Sequence, residues 1–142
     1  MEPFNLSPTD STPKIIFDPQ QKKFEISGIS RPENVREYYE PVLEWIENFN
    51  IEMNDYVFKN GKELIIFDFK LNYFNSASAK FILDILIELN KLYKNGLNLK
   101  IDWYYDEGDE DMKEVGEELS EIVDFSFNYI EVESLNDETL RF

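Results

Sequence analysis

Two periods of apolar residues succeed one another along the chain. In the runs 14–18 and 23–27 they come in short β-prone stretches, with Phe24 and Ile26 set between polar neighbours. That spacing predicts two strands, and Pro19-Gln20-Gln21-Lys22 between them predicts a hairpin. From Val35 the period changes. Val35, Tyr38, Tyr39, Val42, Ile46 and Phe49 recur at three and four residues, the single apolar face of a helix. Ser30-Arg31-Pro32-Glu33 just ahead has the Ser-x-x-Glu spacing of a capping box, so the helix is expected to start there. Pro41 falls inside the pattern and should bend or split the helix near Tyr39.

Asn60-Gly61 predicts a type I′ turn. The run 64–69 after it is almost continuously apolar, as in a central strand covered on both faces. A second helix is expected to open at Ser76. Phe81, Ile82, Ile85, Leu86, Leu89, Leu92 and Tyr93 form its buried stripe, and Asn95-Gly96 stops it. Residues 97–104 alternate as a strand. A third helix from about Asp109 puts Met112, Val115, Leu119 and Ile122 on one face, and Phe125, Phe127, Tyr129 and Ile130 fall in a last strand. The order is β-β-α-β-α-β-α-β. After an N-terminal hairpin, that alternation calls for right-handed crossovers and a mostly parallel sheet with helices packed on it, an α/β fold. Residues 1–13, with three Pro and no apolar period, read as a flexible lead-in, 14–135 as one domain, and 136–142 as a weakly determined tail.

Composition narrows the chemistry. With 142 residues, 42% hydrophobic and 15% aromatic, the chain can bury one core, which excludes a disordered polypeptide despite a net charge of −16. There is no Cys and no His. A thiolate nucleophile, a disulfide framework, a zinc finger and an imidazole general base are therefore excluded. The charge is also lopsided. Residues 1–100 carry a net −3, while residues 101–142 carry 15 acidic against 2 basic side chains, a net −13. Such a pole repels a phosphate backbone and an anionic membrane, and steers a partner with a basic patch, unless it serves only as a solvated face. Met1-Glu2-Pro3-Phe4 lacks the features of a signal peptide, and the apolar stretch 81–89 is broken by Asp84 and Glu88, so a cytoplasmic address is expected.

Several constellations invite a chemical reading. None of the five glycines lies in a phosphate-cradling pattern. Asp106, Asp109 and Asp111 suggest a hard cation, although the spacing does not match an EF-hand and a first helical turn attracts carboxylates anyway. Asp18, Asp68, Asp84 and Asp102 lie on or beside core elements, where two could converge for paired-carboxylate hydrolysis, whereas a Mg²⁺-dependent hydrolase would use Asp106, Asp109 or Asp111. Ser78-Ala79-Lys80 does not have the spacing of a Ser-Lys hydrolase. Ser76 and Ser78 follow an apolar strand and open an apolar helix. One account makes Asn75 or Ser76 an N-cap and nothing more. The other makes this a place for phosphate, because the first four amides of a helix are unpaired and its dipole is positive there. Lys80, one turn on, would assist.

Thr12-Pro13, Ser30-Arg31-Pro32-Glu33-Asn34, Tyr73-Phe74-Asn75-Ser76 with Lys80, and Trp103-Tyr104-Tyr105-Asp106 with Asp109-Glu110-Asp111 occur in that order. Together they resemble the SiaC family of bacterial regulatory phosphoproteins, over about residues 12–127. The resemblance implies a STAS-like fold, that of the anti-sigma-factor antagonists, with no catalytic activity and no cofactor. It implies a protein kinase that phosphorylates a hydroxyl at the start of the second helix and a PP2C-type phosphatase that removes the phosphate. It also implies that the unphosphorylated form binds and activates a diguanylate cyclase, raising cyclic-di-GMP and promoting biofilm. The matching acceptor is Ser76, where the family pattern has Thr. Anti-sigma antagonists read Asp-Ser with a Gly close behind, whereas this chain reads Asn75-Ser76-Ala77-Ser78, leaving Ser78 as a fallback acceptor. Tyr73, Phe74, Asn75 and Lys80 would then support the phosphosite and meet the partner. The alternatives are a Mg²⁺-dependent hydrolase and a constitutive acidic interaction module.

Overall fold

The computed structural model describes residues 1–60 and 63–136, with backbone alone for 54–60. The Asn60-Gly61 turn and the tail beyond Asn136 lie outside the described residues. The elements are β1 (Phe4–Leu6), β2 (Lys14–Asp18), β3 (Lys23–Ser30), α1 (Val35–Asn60), β4 (Ile65–Phe74), α2 (Ser76–Lys94), β5 (Leu99–Asp106), α3 (Glu110–Val123) and β6 (Asn128–Val132). They build one six-stranded mixed sheet in the order β1-β2-β3-β4-β5-β6. β1, β2 and β3 form an antiparallel meander, and β3 to β6 run parallel.

This strand order decides where the helices go. Each parallel crossover advances one place in the same direction, and right-handed crossovers that never reverse stack their helices on a single face. The side chains agree. Ile65, Phe67, Phe69 and Leu71 of β4 are buried, whereas Ile66, Asp68 and Asn72, pointing the other way, are half-buried. β4 is a central strand as the apolar run 64–69 predicts, and on its other face Lys70 is buried while Ile66 and Asp68 are half-buried. On the covered face, Phe17, Phe24 and Phe67 of β2, β3 and β4 meet Trp45 and Phe49 of α1, with ring centroids 4.5–6.5 Å apart. Trp103 of β5 stacks between Phe69 and Phe127.

Four local expectations change. Residues 1–13 are not a structureless lead-in, because Phe4–Leu6 pairs with β2 and Trp45 Nε1–H donates to the Glu2 carbonyl at 3.0 Å. Ser30 does not cap α1; it is the buried last residue of β3. The cap is Asn34, whose Oδ1 accepts the Glu37 amide at 3.0 Å while its Nδ2 donates to the Glu37 carboxylate at 3.2 Å. The cap thus sits four residues later than the capping-box spacing suggests, and the Glu37 carboxylate returns a bond to the cap side chain rather than to its backbone amide. Pro41 does not split the helix, which runs unbroken from Val35 to Asn60. Its missing amide removes one backbone bond, and the buried row Tyr39, Val42, Trp45, Ile46 and Phe49 holds the helix across the gap. Finally, Tyr93 and Ile122 are exposed, at 51% and 65%, and Val123 and Gly116 take the inner positions on α3.

Candidate functional site

The site lies where β4 hands over to α2, beside the end of β3. Asn75 is the N-cap of α2: its backbone is extended and its Oδ1 accepts the Ser78 amide at 2.8 Å. The Asn75 amide in turn donates to the Ser30 carbonyl at 3.0 Å, which pins the handover to β3. Ser76 is then the first residue of α2, and it is exposed. Its amide is one of those a helix start leaves without an intrahelical partner.

Ser78 has a different setting. It is wholly buried, in a chain of three hydroxyls. Ser30 Oγ–H donates to Ser78 Oγ at 2.8 Å, and Ser78 Oγ–H donates to the Ser30 carbonyl at 3.1 Å. With both serine protons committed, the 2.6 Å contact between Tyr39 Oη and Ser30 Oγ has the tyrosine as donor. Burial pushes the Tyr39 phenol up to about 12, opposed by its bonds to the two serines. The phenol therefore keeps its proton, and the network ties α1, β3 and α2 together beneath Ser76. A kinase cannot reach Ser78 without opening this network.

The rim combines aromatic and basic groups. Tyr73 is half exposed, and Phe74 is half-buried, edge-on to Trp103 at 6.3 Å. Phe81 of α2 stacks on Tyr39 at 5.5 Å. Lys80 Nζ lies 5.3 Å from the centre of the Phe81 ring and the Arg36 guanidinium 6.0 Å from it. Arg36, which sequence reasoning passed over, thus shares the Phe81 ring with Lys80, and it also pairs with Glu40 at 3.7 Å. The period of α1 could have placed it, since it follows the half-buried Val35 by one position and is exposed. The first turn of α2 holds no carboxylate, whereas α1 has Glu37 there and α3 has Glu110 and Asp111. The positive end of α2 is the one left without an anion of its own.

The acidic candidates are occupied otherwise. Asp106 Oδ1 accepts the Leu135 amide at 2.5 Å, and Asp109 caps α3 through the Met112 amide at 3.1 Å. Asp111 is exposed in the first turn of α3. Among the described residues no three carboxylates come together in a way that would hold a metal ion. Asp68 and Asp102 do stand side by side on the face that carries no described helix, each among lysines. No described helix is long and apolar enough to cross a membrane.

The handover from β4 to α2 thus presents an exposed hydroxyl at a helix start with aromatic side chains around it, on an α/β sheet. The model of the SiaC family of regulatory phosphoproteins matches residues 6–132, and the chain belongs to that family. An uncharacterized protein of Pseudomonas aeruginosa strain UCBPP-PA14 is 32% identical over 127 residues, 89% of this chain and 94% of that one. The fold is shared with apo-SiaC of P. aeruginosa at a TM-score of 0.72 and 30% identity, covering 92% of this chain and 98% of that one. It is also shared, at a TM-score of 0.73 and 31% identity over 90% and 97%, with SiaC bound as activator to the diguanylate cyclase SiaD of the same organism.

Proposed function

We propose that this protein is a non-enzymatic signalling adaptor switched by reversible phosphorylation of Ser76. A protein kinase adds the phosphate and a PP2C-type phosphatase removes it. The unphosphorylated form binds and activates a diguanylate cyclase, and so sets cyclic-di-GMP and biofilm formation. The observation that carries the reading is the exposed Ser76 hydroxyl at the first position of α2, in a turn with no carboxylate and with Lys80 one turn on. Membership of a family of regulatory phosphoproteins supports it, as does a relative of like fold that activates a cyclase.

The switch follows from charge. Tyr73, Phe74 and the Asn75 edge form an aromatic, uncharged docking surface. A phosphoserine at Ser76 brings about −1.5 to −2 charges and three acceptor oxygens to its centre. In the free protein the unpaired amides of α2 and Lys80 accommodate that charge. In the complex the same charge must be desolvated, which ejects the partner. A hundredfold change in affinity needs about 2.7 kcal/mol, within reach of one buried charge.

The test is activation of the diguanylate cyclase of the same host by three chains. Ser76→Ala is expected to activate like the unmodified protein, and Ser76→Glu to lose activation at least tenfold while keeping the fold. Equal activation by all three would place the switch elsewhere and favour the constitutive module.

A further inference from the structure

A groove of about 420 Å³ opens between β1 and the first turns of α1, and none of its lining residues belongs to the proposed phosphosite. Phe4 and Leu6, two apart and so on one face of β1, form one wall. Tyr38 and Pro41 of α1 form the other, with Pro32 from the connection between β3 and α1. The walls are held in place. The Phe4 ring stacks on Phe17 at 6.2 Å, and Tyr38 Oη–H donates to the Pro13 carbonyl at 2.9 Å. β1 is the terminal strand of the sheet, so its outer edge pairs with no described strand.

Charge indicates what the groove takes. Glu37, Glu40 and Glu44 recur at three and four residues along α1, the spacing of one helical stripe. All three are exposed, and with Pro41 they line a second depression of about 410 Å³, which shares Glu37 and Pro41 with the apolar groove. Arg36 pairs with Glu40 at 3.7 Å, and among the described residues neither Glu37 nor Glu44 has a basic partner. Pro41 adds one more acceptor. It has no amide to bond the carbonyl four residues back, so the Glu37 carbonyl lacks its helical donor beside the groove. A proline inside a helix is costly, and α1 takes no break from it. An apolar slot bordered by carboxylates and a carbonyl without its helical donor is complementary to an apolar group beside cationic donors. A second copy of this chain, at a net charge of −16, has the wrong sign for it.

We propose that this groove docks an extended segment of another protein, one that carries a bulky apolar side chain beside Lys or Arg. The segment lies along the outer edge of β1 and adds a strand to the sheet, a mode in which backbone bonds give affinity and alternate side chains give specificity. Its apolar side chain enters between β1 and Pro41, and its basic residues face Glu40 and Glu44. Two residues of an extended chain advance about 6.6 Å and one helical turn about 5.4 Å, so a basic residue two positions from the apolar one stays level with the next carboxylate. The docking is independent of the phosphoswitch, since it uses neither Ser76 nor the edge formed by Tyr73, Phe74 and Asn75.

Binding of the full chain to an array of synthetic nonapeptides tests this. Each peptide has Phe, Leu or Trp in the middle, flanked two positions away on both sides by Lys or Arg, by Glu, or by Ser. The basic series is expected to bind at least tenfold more tightly than the other two, by a margin that added salt narrows. Equal binding by the three series, or binding by none, would overturn the proposal. Glu40→Lys with Glu44→Lys changes two exposed positions and leaves the bonds between Asn34 and Glu37 in place. That variant should transfer the preference to the acidic series, and an unchanged preference would overturn the proposal. Pro41→Ala separates docking from folding. It restores a helical amide, so the variant should unfold at a higher denaturant concentration and yet bind the basic peptides at least threefold more weakly. A more stable chain with undiminished binding would contradict the docking mode. Amide shifts on adding the tightest peptide are expected at Phe4, Leu6 and along residues 37–44, and shifts centred on residues 73–80 would place the peptide at the phosphosite and overturn the proposal.

Discussion

Ser30, the last residue of β3, and Ser78, in the first turn of α2, bond to each other twice: Ser30 Oγ to Ser78 Oγ, and Ser78 Oγ back to the Ser30 carbonyl. With Tyr39 as the third hydroxyl, this closed pair fixes the start of α2 against the sheet from below. Ser30→Ala would remove the acceptor of the Tyr39 proton and the donor to Ser78 inside a dry site. A buried polar group left without its partner costs about 1–3 kcal/mol. Chemical denaturation should show a loss in that range for Ser30→Ala and a smaller one for Tyr39→Phe, which strands no donor.

Asn75→Ala deletes the cap of α2. The expected cost is about 1 kcal/mol, typical for a lost side-chain cap. The same variant frees the Ser78 amide, adding one more unpaired donor beside Ser76. Equilibrium unfolding of Asn75→Ala against the parent measures it.

Gly116 of α3 lies against the Trp103 indole. A Cβ built there would come within 2.6 Å of Nε1. Trp103 cannot withdraw, because it stacks between Phe69 and Phe127 and its Nε1–H donates to the Met112 carbonyl at 3.0 Å. Gly116→Ala should therefore destabilise by about 1–3 kcal/mol through overpacking, against a gain of about 1 kcal/mol from helix propensity. The net loss is read as a lowered unfolding midpoint.

Burial raises the Asp68 carboxyl to about 6, with Asp102 and Glu25 adding to the rise and Lys70 and Lys100 opposing it. The folded state thus holds this proton more tightly than the unfolded chain, so the group's contribution falls as pH rises from about 4 to about 6. Above pH 6 Asp68 is a net cost. Asp68→Asn should stabilise at pH 7 by about 1 kcal/mol, the shift being discounted for solvent screening at a half-buried site, and the gain should vanish near pH 4. Thermal melts of both chains across that window check the sign.

The parts of this fold that could be read along the chain are those where local pattern and tertiary setting agree. The stripe of α2, its stop at Asn95-Gly96 and the cap of α3 at Asp109 are of that kind, since each depends on neighbours within a turn. β1 was hidden because three residues between prolines carry no period, and only pairing with β2 makes them a strand. Ser30 has the spacing of a cap, yet the β3–β4 pairing extends to Ser30 and Phe74 and claims it for the sheet, leaving Asn34 to cap α1. The site shows the same division. Ser76 at a helix start was legible; the bonds between Ser30 and Ser78 and the approach of Arg36 to Phe81 join residues more than 40 positions apart.

The most direct test of the phosphoswitch is peptide-level mass spectrometry of the protein purified from its native host, with and without phosphatase inhibitors. The account predicts phosphate on Ser76, in a fraction that rises with inhibitors and changes with growth condition, and none on the buried Ser78. A peptide spanning residues 71–80 that stays unmodified under every condition would contradict it.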